Sequence, residues 1–295
     1  MRQVYFSILA MGFVGCFDKV GNEGNLSMEY DHGFLERAST PVGTGLQALV
    51  SVSAVNSEAA VVVSDVFSND ESIISIQEVS ESGFALTANA QGSTTVHVHS
   101  DAGNDSFTIE AKDIGNITFA DIAHISSESA HPIVGAQIPI RRTIYDAEGS
   151  LLTGFGLTSV EITPAEGADV IADTKSETLI IQPNQAGEFS LGFAEASTTY
   201  QALTLEEITN WVVDIPSESE EALNVNDSFA ITIYGETANG EAGLTHLISA
   251  DESVCSVVTV LEMASFFSVT ALAEGACSIQ NGVTGEVIFE KEVVP

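Results

Sequence analysis

The chain has 295 residues, and its 42 acidic side chains against 8 lysines and arginines give a formal net charge of −34. Phosphate contacts need clustered basic groups, and the only adjacent basic pair is Arg141-Arg142, so the composition argues against a nucleic-acid partner and against direct attraction to an anionic membrane surface. The length exceeds what one β-sandwich needs and suits three modules of about ninety residues.

At the amino terminus Met1-Arg2-Gln3 supplies one basic side chain, Val4 through Gly15 is almost wholly apolar, and Phe13-Val14-Gly15-Cys16 closes the run. The apolar stretch is too short to cross a bilayer as a helix at ~1.5 Å per residue. It resembles a bacterial lipoprotein leader with its lipobox, which implies cleavage before Cys16 and lipidation of the Cys16 thiol. An ordinary secretory leader is the alternative. Phe17 stands where an aspartate would signal inner-membrane retention, so a lipid anchor in the outer membrane, probing outward, is expected. Residues 1–15 are read as the leader and 16–29 as a tether, with Gly21-Asn22-Glu23-Gly24-Asn25 as its flexible part.

Beyond the tether the signal is repetition. Asp70-Glu71-Ser72-Ile73-Ile74-Ser75-Ile76 returns as Asp251-Glu252-Ser253-Val254-Cys255-Ser256-Val257. Phe84 through Val96 returns as Phe267 through Ile279, with Gly92 and Gly275 coinciding. A weaker third copy, Thr178 through Leu191, carries Gly187 between them. Upstream, Pro41-Val42-Gly43-Thr44, Ile133-Val134-Gly135-Ala136 and Asn224-Val225-Asn226-Asp227 lie at the starts of the three copies. Self-similarity of this kind sets the architecture before any local reading does.

Leu46 through Val52, Thr94 through His99 and Phe229 through Tyr234 alternate apolar and polar residues, the period of a half-buried strand. Asp101 through Asp105, Ala147-Glu148-Gly149 and Ala238-Asn239-Gly240 supply turn chemistry. Little regular helix is expected after the leader. The joints fall near Asp113 to Asn116 and Glu206 to Thr209; both are short and poor in proline, which predicts limited bending between modules.

The order of a Val-Gly-like start, Asp-Glu-Ser-x-x-Ser-Ile/Val, an apolar strand ending in Gly-x-x-x-Val/Ile, and a closing strand such as Phe107 through Ala111 or Val287 through Glu290 resembles the bacterial Ig-like domains of the invasin and intimin type, group 2. The resemblance covers the first and third copies, and the second by strand order and glycine. It implies spacer or adhesion modules without chemistry of their own. The predicted fold is all-β, three tandem immunoglobulin-like β-sandwich domains over residues 30–113, 114–207 and 208–295.

With Cys16 lipidated, Cys255 and Cys277 remain. By the repeat register they replace Ile74 and Thr94, on inward strand faces, so a disulfide is expected, with two buried free thiols as the alternative. Calcium at the joints would draw on Asp113, Asp121, Glu206, Glu207 and Asp214, yet no calcium-loop motif is present and specific metal sites are not expected. His97 and His99 share a strand side without an evident third ligand. Trp211 is read as covering the edge of the third core and not as a sugar platform. No nucleophile elbow, zinc helix motif or phosphate loop occurs. A paired-carboxylate glycosidase has no fixed motif, but small repeated modules leave little room for its cleft. The chain is therefore read as a non-enzyme without cofactors, a cell-surface or envelope lipoprotein whose modules are adhesive or spacer elements for a protein or glycan. The alternatives are a structural assembly lipoprotein that holds another surface protein, and a calcium- or carbohydrate-binding module.

Overall fold

Period-two alternation decides the local structure. In Gly92–Ser100 the buried Thr94, Val96 and Val98 alternate with the wetter Thr95, His97 and His99, and in the facing Gly103–Lys112 strand Phe107, Ile109 and Ala111 turn inward. A computed structural model describes residues 25–30, 40–55, 61–122, 129–156, 159–174, 178–215, 222–260 and 263–295. Cys16 and the rest of the leader lie outside the described residues. Among the described residues the helical content is one 3-10 turn, Leu205–Glu207.

The first group of strands is β1 (Leu26–Tyr30), β2 (Val42–Gly43), β3 (Gln47–Ala54), β4 (Val63–Ser68), β5 (Ile74–Ser80), β6 (Gly83–Ala88), β7 (Gly92–Ser100) and β8 (Gly103–Lys112). They form two sheets, β1-β3-β6-β5 and β2-β8-β7-β4. The second group is β9 (Asn116–Phe119), β10 (Ala130–Pro132), β11 (Ile138–Tyr145), β12 (Leu151–Leu152), β13 (Glu161–Thr163), β14 (Ala168–Thr174), β15 (Thr178–Pro183), β16 (Gly187–Phe193) and β17 (Ala196–Ala202). Its sheets are β12-β11-β15-β14, with β9 on β11, and β13-β16-β17. The third group is β18 (Ile208–Asp214), β19 (Leu223–Asn224), β20 (Ser228–Thr237), β21 (Ala242–Leu244), β22 (Leu247–Ser249), β23 (Cys255–Thr259), β24 (Phe266–Ala271), β25 (Gly275–Asn281) and β26 (Val287–Val294). Its sheets are β21-β20-β24-β23, with β18 on β20 and β10 on β21, and β19-β26-β25-β22.

The three groups share one connectivity. The opening strand (β1, β9 or β18) pairs with β3, β11 or β20, which pairs with β6, β15 or β24 and then β5, β14 or β23. The opposite sheet holds β8-β7-β4, β17-β16-β13 or β26-β25-β22. This four-plus-three order is that of an immunoglobulin constant-type sandwich. In each group a short segment also runs parallel to the last strand, through Val42↔Ala111, Ile133↔Leu203 and Leu223↔Val293. The chain is all-β, built of tandem Ig-like β-sandwiches.

Hydrogen bonds fix the repeat register residue by residue. Gly45, Gly135 and Asn226 have φ of 85°, 85° and 77°, and their N–H groups donate to Ala88, Pro183 and Ala271 carbonyls at 2.7, 2.8 and 2.8 Å. Glycine and asparagine are the residues that tolerate this left-handed conformation. The upstream marker is thereby corrected: the partner of Gly135 is Gly45, two residues beyond the Gly43 that the sequence alignment chose. The strand after Asp101 also begins earlier than expected, since Ser100 pairs with Gly103 and the turn is only Asp101-Ala102. Leu26 and Met28, placed in the tether by the sequence reading, are buried at 0% and 2% exposure in β1, paired to β3. Their glycine- and asparagine-rich neighbours had masked a short strand.

The recurring Asp-Glu-Ser motif is a turn. Asp70 accepts the Ser72 N–H at 3.0 Å and its hydroxyl, and Asp251 does the same with Ser253. The serine hydroxyl in each case holds the aspartate carboxyl below its usual range. Ile74 and Cys255 N–H groups then close back to the Asp70 and Asp251 carbonyls, both at 3.1 Å, launching β5 and β23. One pair of positions matched by the repeat register, one on each sheet, is filled three ways: Ile74 and Thr94, Ala168 and Phe189, and Cys255 and Cys277, all buried. In the third module the pair is a disulfide with Cα atoms 5.5 Å apart.

Candidate functional site at the module joints

The joints are themselves repeated. Asp146 and Thr237 begin matching turns, Asp146 N–H to Ser150 O at 2.9 Å and Thr237 N–H to Glu241 O at 3.0 Å, each closed by a glycine N–H, from Gly149 or Gly240. Seven residues on, Thr153 and Leu244 occupy equivalent places and receive the preceding module. Gly43 N–H donates to Thr153 O, and its counterpart Ile133 N–H donates to Leu244 O, both at 2.9 Å. Thr153 N–H returns a bond to Pro41 O at 2.9 Å, while at the second joint β10 runs parallel to β21 through Ala130↔Ala242, His131↔Gly243 and Pro132↔Leu244. The first and second modules thus each lay their entry segment parallel against the next, as an isolated bridge at Val42↔Thr153 and as the strand β10 at the second joint.

The next contact distinguishes the joints. Gln47 and Phe155 exchange two backbone hydrogen bonds at 2.8 Å. At the equivalent Gln137 and His246, the Gln137 N–H donates to Nδ1 of the His246 ring at 3.1 Å. Burial alone holds the His246 pKa below its ordinary value. A second contact across this joint pairs His131 Nε2 with Glu241 Oε1 at 3.8 Å.

Two ionic contacts brace the first joint. Lys112 Nζ, at the end of β8, donates to Asp146 Oδ2 at 2.8 Å, and the other Asp146 oxygen accepts the Ser150 and Glu148 N–H groups at 2.7 and 3.1 Å. The Lys112 bond, with help from those N–H groups, holds the Asp146 carboxyl below its usual range. Arg142, 1% exposed, donates through Nε and Nη2 to Asp173 Oδ1 at 2.8 and 2.6 Å and through Nη2 to the Gly154 carbonyl at 2.9 Å. Gly154 lies between Thr153 and Phe155, the residues that dock on the first module.

A carboxyl with a lowered folded pKa contributes stability that is present above its ordinary pKa of 3.8 and is lost as pH falls through the lowered value. Asp146→Asn should reproduce that loss at neutral pH, because its amide places N–H groups against the Lys112 ammonium. The expected result is several-fold faster proteolysis in the 113–115 connection with module cores unchanged; equal cleavage rates would show that the ion pair does not brace the joint.

The residues singled out for metal binding do not converge. Among the described residues no three His, Cys, Asp or Glu side chains form a group that could hold a metal ion, so Asp113, Asp121, Glu206, Glu207 and Asp214 make no common site. The Glu207 carboxylate accepts the Thr204 N–H at 2.7 Å and its hydroxyl at 3.0 Å. Asp121 adds to the burial that raises the Tyr200 pKa. Phe67 stacks on His97 with ring centroids 4.8 Å apart and meets His99 edge-on at 5.6 Å. His97 Nε2 is also within 3.1 Å of Asn69 Oδ1. Trp211 in β18 is partly buried and packs against both hydrophobic clusters, the one centred on the first two modules, which reaches Leu244 and Ala264, and the core of the third.

No family model and no curated protein sequence matches the chain. Among solved structures it is similar to domains 4–9 of the surface layer protein SbsC, at 13% identity and TM-score 0.28 over 94% of this chain and 48% of that one. It is also similar to invasin, a bacterial integrin-binding protein, at 14% identity and TM-score 0.25 over 92% of this chain and 60% of that one. Titin domains A168–A170 match at 12% identity and TM-score 0.20 over 92% and 98%. The chain spans about half the length of the surface-layer fragment. At such scores the superpositions carry no argument, and the class, a tandem array of Ig-like sandwiches, rests on strand order and register.

Proposed function

We propose that this chain is a bacterial envelope lipoprotein, anchored in the outer membrane through lipid on Cys16, whose three Ig-like modules form a stiff spacer that carries an adhesive surface for protein or glycan away from the membrane. Module boundaries near 113/114 and 207/208 belong to the same reading. The observation that carries it is the repeated joint: the same N–H, of Gly43 or Ile133, is spent on the following module at both junctions. A chain of independent binding domains needs no such docking; a spacer that must hold its length does. Binding would then use loops and sheet faces, and the −34 charge favours partners with basic surfaces.

The anchor is tested by intact mass and by external protease on cells, with Cys16→Ser as control. The expected result is a diacyl or triacyl mass on Cys16 with cleavage of the displayed modules, and a released, unacylated chain for the variant. An unmodified Cys16 would overturn the lipoprotein reading. Protection from protease despite lipidation would place the spacer in the periplasm.

A further inference from the structure

At one matched contact the second joint places an imidazole acceptor where the first joint uses a backbone carbonyl. Gln47 N–H donates to the Phe155 carbonyl at 2.8 Å, whereas Gln137 N–H donates to His246 Nδ1 at 3.1 Å. Accepting that bond requires an unprotonated Nδ1, so the docked state holds a neutral ring with its proton on Nε2. The ring has little freedom to turn away, because it lies close against Gly282: a Cβ there would come within 2.2–2.5 Å of Nε2, Cε1 and Cδ2 of the imidazole. The Gly282 N–H is also tied to the His246 carbonyl at 2.8 Å. The ring borders a cleft of about 470 Å³ between the modules, walled by Pro139 and Ile180 from one side and Leu247, Val257 and Phe267 from the other.

We propose that His246 is an acid-sensitive latch on the second joint: protonation turns Nδ1 from acceptor to donor, breaks the Gln137 link, and loosens the cleft side of the junction while the first joint stays docked. The charged groups around it do not offset this. Glu252 is the charged residue in the cleft lining, and the ring's lowered pKa has burial as its only resolved cause. His131 faces Glu241 at 3.8 Å with the glutamate 41% exposed. The backbone pairing of β10 with β21 does not involve the His246 ring and is left as the hinge. The sign follows from linkage: a histidine with a lowered docked pKa contributes stability above its free value of 6.5 and loses it as pH falls below that value.

The test is amide hydrogen exchange on the full chain at pH 7.5 and 5.5, corrected for intrinsic rates, with Gln47 as internal reference for Gln137. The latch predicts that Gln137 protection falls at least tenfold relative to Gln47 between the two conditions, and that His246→Phe, which copies the first joint, abolishes the difference. A ratio unchanged by pH would overturn the proposal. An equal fall in His246→Phe would overturn it as well, by assigning the response to another group. Thermal unfolding of the variant at pH 7.5 shows whether the third module is folded; if it is not, His246→Gln, which keeps a side-chain amide oxygen as a non-titrating acceptor, replaces it and must likewise remove the pH dependence.

Discussion

Replacing Arg142 by methionine should cost the second module about 3–5 kcal/mol, because it strips the guanidinium from an Asp173 side chain only 4% exposed. In the same step the Gly154 carbonyl loses its Nη2 donor, so the loss should spread to the docking of Thr153 and Phe155 on the first module. Several modules in series need not unfold in one step, so a local readout is required. Exchange protection of peptides covering β11 and β15 should fall by about two to four orders of magnitude, the equivalent of that energy at ~1.4 kcal/mol per decade, with the third module unaffected. The double variant Arg142→Met with Asp173→Leu should recover most of the stability, as replacing a whole buried pair by packed apolar groups is often neutral. If the single variant were as stable as the parent, the pair would be a passenger of the fold.

The second large effect concerns the Cys255–Cys277 disulfide, whose partners are 22 residues apart. Closing a loop of that size is worth ~3 kcal/mol in the chain-entropy account. Cys255→Ala with Cys277→Ala adds the lost packing of two fully buried side chains. Reductant or this variant should therefore lower the melting of the third module, by about 4–8 °C per kcal/mol for a domain of this size, and leave the first two unmoved. The matching positions in the other modules show how the site is filled without sulfur. Cys255→Ile with Cys277→Thr, copying Ile74 and Thr94, should regain the packing part while remaining insensitive to reductant. A third-module transition indifferent to both reductant and alanine would contradict the assignment.

What could be read from the sequence was whatever depends on side-chain pattern. Alternation gave the strands, and the Asp-Glu-Ser repeat marked a turn whose geometry needs a short acceptor and a serine. The Cys255 and Cys277 positions followed from the repeat register. The joints were hidden because they are made mainly of backbone N–H and carbonyl groups, which leave no residue signature. β1 was hidden by its tether-like neighbours, and the entry turn was misaligned by two residues because Gly43 and Gly45 are equally plausible by type. One missed signal was present: in Ile138, Ile140, Arg142, Ile144 the period-two pattern places an arginine on the inward face. An inward arginine demands a buried carboxylate, and Asp173, distant by 31 residues, supplied it.

The latch and the braces bear on a single physical property, how far the modules move against one another. In the spacer proposal, backbone strand addition at both joints, with Lys112–Asp146 and Arg142–Asp173 beside the first, should make the array act as one body at neutral pH. Small-angle X-ray scattering from the soluble chain at pH 7.5 tests this most directly, with Asp146→Asn as comparison. The parent is expected to give a profile fitted by one fixed arrangement of the three modules, and the variant a broader distribution of maximum dimensions. A parent profile that only a freely bending ensemble reproduces would contradict the stiff-spacer reading.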